Sequence, residues 1–512
     1  MMTSVSFLLL GLSLVTSADA AFRFASYYGD HMVLQQQPSS AVIWGYGELG
    51  SQVTVSLIRG LETISKITVA ANGEGVWRVQ LPPMEYGGPY HLVAQQFAQN
   101  ISSIHLVDIL FGDVWLCSGQ SNMEMTVSQM FNASEELKMA ADYPYIRLFV
   151  AALVQSQTEL RDLARVDLPW SLPSAENLGH GDFSYFSAVC WVFGRHLARR
   201  LRYPIGLVES SWGGTPVEAW SSKTALKKCG LSGDSGELTE SFQFFDTAAG
   251  PCEYSVLWNA MIHPLLNMTI KGAIWYQGEQ NTAMNTDLYN CTFPALISDW
   301  RHSFNEGSHS QTDPNFPFGF VQLSTYQKSQ QKDNYPVIRW HQTADYGYVP
   351  NPKMPNTFMA VAMDLGDEKS PYGSVHPRDK ETVGYRLYLG ACAIAYGEKD
   401  IPFQGPYPVY IDVYYEYMYM NITYDQQLVI AGSFDNIFEV LCKSSSGESY
   451  EWLPIAASFL SVSDKVITVP FVWCSALGVR YAWDDWPCDY KQCPIYSAQQ
   501  QLPASLFVKY FT

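Results

Sequence analysis

The chain has 512 residues, 47% of them hydrophobic and 16% charged, which is enough apolar material for more than one domain. With 31 Lys+Arg against 49 Asp+Glu the formal charge is −18, a field that repels polyanions and excludes nucleic acid or an anionic membrane surface as the natural partner.

The chain opens on an apolar run, Val5 to Val15, followed by the small-x-small pattern Ala18-Asp19-Ala20. We read residues 1–20 as a signal peptide, although its first residues carry no Lys or Arg. The run is too short to span a bilayer, and no later stretch of about 18 uninterrupted apolar residues follows, so no membrane span is expected. The reading implies the secretory pathway, with a lysosomal or extracellular destination. Sequons at Asn100, Asn132, Asn267, Asn290 and Asn421 agree with a glycoprotein, and ten Cys permit disulfides. Cys488 and Cys493 lie close in a polar loop, and Cys229 and Cys252 flank a Gly/Ser-rich segment. Cys117, inside an apolar strand, reads as a buried small hydrophobe. No Cys/His spacing suits a metal, and none is expected.

Residues 21–108 form an N-terminal β domain: AVIWG, VTVSLI, WRVQL and YHLVA are short apolar runs separated by Gly, Pro and Asn turns. From 109 to 400 strands alternate with helices. Strands are expected at 109–117, 146–154, 204–210, 272–277, 318–323 and 357–363. Val189, Phe193, Leu197 and Leu201 mark one helical face, and Val383, Leu387, Ala391 and Ile394 another. This alternation predicts a doubly wound, mostly parallel sheet covered by helices on both faces. After the Pro/Gly break IPFQGPYP, residues 401–512 return to strand patterning and read as a second β-sandwich region. The Tyr-rich stretch 410–424 is expected to be strand packing rather than a binding stripe.

In a parallel α/β sheet, reactive groups gather at the carboxyl ends of strands. In VWLCSGQSNMEM a strand closes at Cys117, Gly119 allows a tight turn, and Ser121 starts the next helix, where free N–H groups stabilise an anion. An N-cap serine would look the same. In VESSWGGTPVEAW the pair Gly213-Gly214 lets backbone N–H groups approach a ligand, as an oxyanion hole requires, or simply makes a turn. In IWYQGEQN the strand ends at Gln277, whose amide either donates to an oxyanion or holds a loop. His376, ahead of Pro377 and a helix starting near Asp379, is placed as a general base would be.

GQSNMEM, SSWGGTPVEAW, WYQGE and HPRDK, in this order and spacing, resemble the sialate O-acetylesterases, a branch of the SGNH hydrolases. The resemblance extends over the mature chain, from DHMVLQQQP through WNAMIHPL to VRYAWDDWP. It implies a serine esterase of SGNH-type α/β fold that needs no cofactor and acts on O-acetylated sialic acid. It assigns Ser121 as nucleophile and His376 as base. The Ser121 N–H, the Gly213-Gly214 turn and Gln277 would form the oxyanion hole. Relatives carry an Asp two or three residues before the histidine, where this chain has Ser374 and Gly373. Asp364, Asp367 or a backbone carbonyl would then orient the imidazole. Arg378 would pair with the sialic acid carboxylate, or be a surface residue at a helix start. Trp212, with Trp220 and Trp275, would wall the sugar site or pack the core. Two other readings use the same residues: an esterase for another acetylated carbohydrate such as xylan or an amino sugar, and a glycan-binding protein with an inactive hydrolase core.

Overall fold

A computed structural model describes residues 21–233, 250–328, 334–443, 449–471, 474–499 and 501–511. The expected signal peptide, 1–20, lies outside the described residues.

The fold is mixed α/β with β regions on either side. Its central sheet runs in the order Val166–Ser171, Ile146–Ala151, Ile205–Ser211, Ile101–Gly119, Gly272–Tyr276, Phe318–Gln322, Thr357–Val361. Every neighbouring pair is parallel except Val166–Ser171, an antiparallel edge strand. Gly272–Tyr276, Phe318–Gln322 and Thr357–Val361 carry almost unbroken apolar runs because both faces are covered, and Ile205–Ser211 is apolar until its last three residues, Glu209, Ser210 and Ser211, which are buried polar groups. Trp115 pairs with Gly272, three positions before Trp275, so the two indoles point to opposite faces. Trp115 meets Phe193 of the helix Ala188–Leu201, while Trp275 meets Phe293 and Trp300 of the helix Tyr289–Gly307.

The 19-residue strand Ile101–Gly119 joins two layers. Its first half pairs antiparallel with Gly87–Phe97 among the N-terminal strands, and its second half is the centre of the α/β sheet. The position 108/109 falls within this strand, at Asp108, which has φ 54°. Toward the C-terminus, two four-stranded antiparallel sheets share a core of Met420, Ile422, Phe438, Val440, Ile467, Val469, Val479 and Tyr481, which also takes in Met363, just after the last central strand.

Three expectations change. Cys117 is not a free buried thiol: it is bonded to Cys190, because it lies two residues after Trp115 and faces the same helix. Cys229 pairs with Cys291, and Cys252 is free. Cys488–Cys493 and Cys442–Cys474 are also bonded. The Tyr-rich stretch forms strands as expected, but Tyr410, Tyr414, Tyr415 and Tyr417 are exposed, since they lie on the outer face and turn of a hairpin whose inner face supplies Met420, Ile422 and Tyr424. No helix among the described residues is long and apolar enough to cross a membrane.

Candidate active site

At the carboxyl ends of the central strands lies a cavity of about 470 Å³, lined by Ser121, Trp212, Gly213, Gly214, Glu124 and His376 among others. The central strand delivers Ser121 by a tight turn at Gly119, where φ is 141° and a Cβ would stand 2.1 Å from the Tyr276 carbonyl oxygen; only glycine fits. Ser121 is the first residue of the short helix Ser121–Glu124 and not its cap, which is Gln120.

His376 arrives from the loop before the helix Lys380–Ile394, whose start is capped by Asp379 accepting from the Thr382 N–H. Its Nε2 is 2.8 Å from Ser121 Oγ, although the two residues are 255 apart in sequence. Its Nδ1 is 2.7 Å from the Tyr372 carbonyl oxygen. The loop is closed by the His376 N–H donating to Gly373 O and the Ser370 hydroxyl donating to His376 O. Phe183, at φ 50°, presents its ring edge-on to the imidazole with centroids 5.2 Å apart. Burial, with a smaller contribution from the Lys380 charge, pushes the imidazole down to about 4, so it is neutral and able to accept a proton over most of the physiological range.

Neither candidate carboxylate reaches His376. Asp364 is fully buried and forms a two-pronged pair with Arg386, at 2.6 and 2.8 Å, while also accepting from the Tyr496 hydroxyl. Asp367 is held by Arg378, at 2.6 Å to Nε and 3.0 Å to Nη2. Each acid is committed to a guanidinium, and a backbone carbonyl takes the place beside the imidazole. The same geometry corrects Arg378: its fork is filled by Asp367 and its plane lies over the Phe131 ring, so no free guanidinium is presented to a substrate carboxylate.

Gln277 is also redirected. Its amide donates to Thr215 O at 3.1 Å and to Asn281 Oδ1 at 2.8 Å, and its carbonyl accepts from Tyr289 OH at 2.9 Å. The side chain is fully buried behind the site and braces the turn that follows Gly214. Gly213 and Gly214 line the cavity, and the Gly213 N–H donates to Glu124 Oε2 at 2.6 Å. The Ser121 and Gly214 N–H groups have no acceptor among the described residues. Trp212 lines the cavity, whereas Trp220 and Trp275 are core residues packed against each other.

Sequence reasoning missed a set of buried polar groups around the pair. Asn122, next to Ser121, donates to Glu279 Oε1 at 2.5 Å and to Val375 O at 2.8 Å, and accepts from Lys380 Nζ at 2.6 Å. It thereby ties the serine turn to the histidine loop. Burial pushes Lys380 down to about 7 and raises Glu279, moving both toward their neutral forms. Glu124, also lining the cavity, is pushed up to about 7 by burial, against the opposing bond from Gly213. The signal was present: all four lie inside GQSNMEM, WYQGE and HPRDK, charged or amide positions crowded at apolar strand and helix ends.

Residues 111–383 match the family model described as carbohydrate esterase, sialic acid-specific acetylesterase, and residues 411–511 match the sialate O-acetylesterase C-terminal domain. The chain belongs to the sialate O-acetylesterase family. It is 53% identical over 499 residues to the Homo sapiens sialate O-acetylesterase, covering 97% of this chain and 94% of that one. The Mus musculus sialate O-acetylesterase is 52% identical, with 96% and 95% covered. Among solved structures, a carbohydrate acetylesterase from Xanthomonas citri superposes with a TM-score of 0.78 at 26% identity, covering 96% of this chain and all of the other. The family match spans both the sheet that carries Ser121 and His376 and the C-terminal strands.

Proposed function

We propose that this chain hydrolyses O-acetyl esters of sialic acid to the free sugar and acetate through an acetyl-Ser121 intermediate. The observation that carries the mechanism is the 2.8 Å approach of His376 Nε2 to Ser121 Oγ on the wall of a sugar-sized cavity. Family membership carries the substrate class. His376 takes the serine proton as Oγ attacks the acetyl carbonyl carbon, and the Ser121 and Gly214 N–H groups stabilise the oxyanion. As the intermediate collapses, the bond to the sugar oxygen breaks and His376 returns the proton to the leaving alcohol. Water, deprotonated by the same imidazole, then releases acetate and regenerates Ser121. The Tyr372 carbonyl can only accept a hydrogen bond, so it fixes the proton on Nδ1 and leaves Nε2 free to act as base.

The chain enters the secretory pathway and works in a lysosomal or extracellular setting, where its four disulfides persist. The deciding assay is acetate release from 9-O-acetylated sialic acid against acetylated xylan, with Ser121→Ala as control. Serine removal should cost about 10⁴-fold or more in kcat. Equal activity of the folded variant, or preference for xylan, would refute the proposal.

A further inference from the structure

We infer that Asn421 is an N-glycosylation site whose first sugars lie on the outward tyrosine face of the C-terminal hairpin, the protein's own glycan being the occupant of that surface. The inference rests on the proposed secretory route.

Strands Pro408–Tyr414 and Tyr419–Tyr424 pair antiparallel at one edge of a four-stranded sheet, with Tyr414 opposite Tyr419, Asp412 opposite Asn421 and Tyr410 opposite Thr423. Alternation sends Met420, Ile422 and Tyr424 into the core, so Tyr419, Asn421 and Thr423 share the other face with Tyr410, Asp412 and Tyr414. Tyr410 is 69% exposed and Tyr414 39%, and Tyr414 stacks on Tyr419 with centroids 4.9 Å apart. Large aromatics left outward on an edge strand form a sticky surface that natural sheets cover or charge.

The sequon Asn421-Ile422-Thr423 stands among these rings. The Thr468 hydroxyl on the next strand donates to Asn421 Oδ1 at 2.8 Å, which orients the amide, and no acceptor among the described residues engages Nδ2. Asn290, by contrast, has its Nδ2 committed to Asp345 at 2.6 Å. Glycosylation joins Nδ2 to C1 of the first sugar as the C1–oxygen bond to a lipid diphosphate donor breaks; Nδ2 loses one proton and the diphosphate leaves with the bonding pair. Tyr419 is two residues before Asn421 on the same face, and Tyr410 and Tyr414 are its diagonal neighbours across the strand pair, about 7–8 Å away. That is within reach of a pyranose whose apolar C–H face rests on a ring. Asp412, directly opposite, accepts from sugar hydroxyls.

The test uses the full chain expressed in a secreting eukaryotic host. Peptide mass spectrometry after enzymatic deglycosylation in heavy-oxygen water reads occupancy at each sequon, and radical footprinting reads tyrosine exposure before and after glycan removal. We expect Asn421 to be occupied. Labelling of Tyr410 and Tyr414 should rise about twofold or more once the glycan is removed, with Tyr417 at the hairpin turn unchanged. Thr423→Ala, which abolishes the sequon but keeps the Asn421–Thr468 bond, should reproduce that rise. Glycans at Asn100 or Asn132 with Asn421 bare would overturn the inference and leave the secretory route standing, whereas no glycan anywhere would defeat both. Occupancy at Asn421 without tyrosine protection, or protection that appears only as protein concentration rises, would also overturn it, the latter in favour of a second copy of the chain on this face.

Discussion

The Nδ1 of His376 lies 2.7 Å from the carbonyl oxygen of Tyr372, four residues earlier in the same loop. A peptide carbonyl is neutral, so it fixes the tautomer without stabilising the imidazolium as a carboxylate would. An orienting acid elsewhere is worth up to about four orders of magnitude.

Asp367→Asn is therefore expected to leave kcat within about tenfold of wild type, far from the roughly 10⁴-fold loss of a true orienting acid. Asp364→Asn should act on stability instead, because it leaves the buried Arg386 without its counter-charge, a loss of about 3–5 kcal/mol. Steady-state kinetics on the folded fraction, with thermal melts alongside, separate the two. A thousandfold kcat loss in either folded variant would show that a carboxylate reaches His376 during turnover.

Gln277→Ala should be a stability variant as well. It strands the buried Thr215 carbonyl, leaves the Asn281 amide oxygen with only the Val217 N–H and the Tyr289 hydroxyl with only the more distant Gln277 main-chain carbonyl, at about 1–3 kcal/mol for the group left unpaired. Denaturant melts should show that loss, while kcat in the folded protein changes less than the roughly 10²–10³-fold expected for a lost oxyanion donor. Normal stability with a collapsed kcat would return Gln277 to the oxyanion hole.

The pH profile should be bell-shaped. His376 acts as a base only when neutral, and burial holds its folded value at about 4, so kcat/KM should survive well below the usual imidazole range and fall only as pH drops through about 4. Glu124 sits at about 7; above that it is an anion beside the developing oxyanion, so rate should fall as pH rises through about 7. Glu124→Gln keeps the shape and removes the charge, and should flatten the alkaline limb while sparing the acid one. An unaltered alkaline limb in that variant would assign it to another group. Stability follows the same signs. Glu124, raised from 4.5, favours the folded state at low pH and loses that contribution as pH rises from about 4.5 to 7. His376, depressed from 6.5, loses its contribution as pH falls from about 6.5 to 4.

Cys117–Cys190 closes a loop of 73 residues and ties the strand that delivers Ser121 to the helix Ala188–Leu201. Cys190→Ala should lower stability by about 2–4 kcal/mol. Because Cys117 is fully buried two residues before the turn at Gly119, kcat should fall with it. Matched melts and kinetics in the presence and absence of reductant check this, and a variant as stable and active as wild type would contradict it.

Local patterning determined a good deal here. Val189, Phe193 and Leu197 recur at helical spacing and are all buried, on a helix whose first two turns are enclosed on every side, and the apolar strands 272–277 and 318–323 read as strands because both sheet faces are covered. Ser121 and His376 were legible because element ends in an α/β sheet are where side chains meet the cleft, and the family motifs fall on those ends. Direction past an element end was not legible. Gln277 continues a strand into a turn, and only the position of Thr215, 62 residues earlier, decides that its amide faces inward. Asp364 and Asp367 were credible partners for His376 until Arg386 and Arg378 claimed them, an outcome set by helix docking rather than chain distance. The cysteine pairs and the outward tyrosines have the same cause. Alternation says that Tyr410 and Met420 point to opposite sides of a hairpin, but which side becomes core depends on the second sheet, built from residues up to 90 positions away, that packs against Met420.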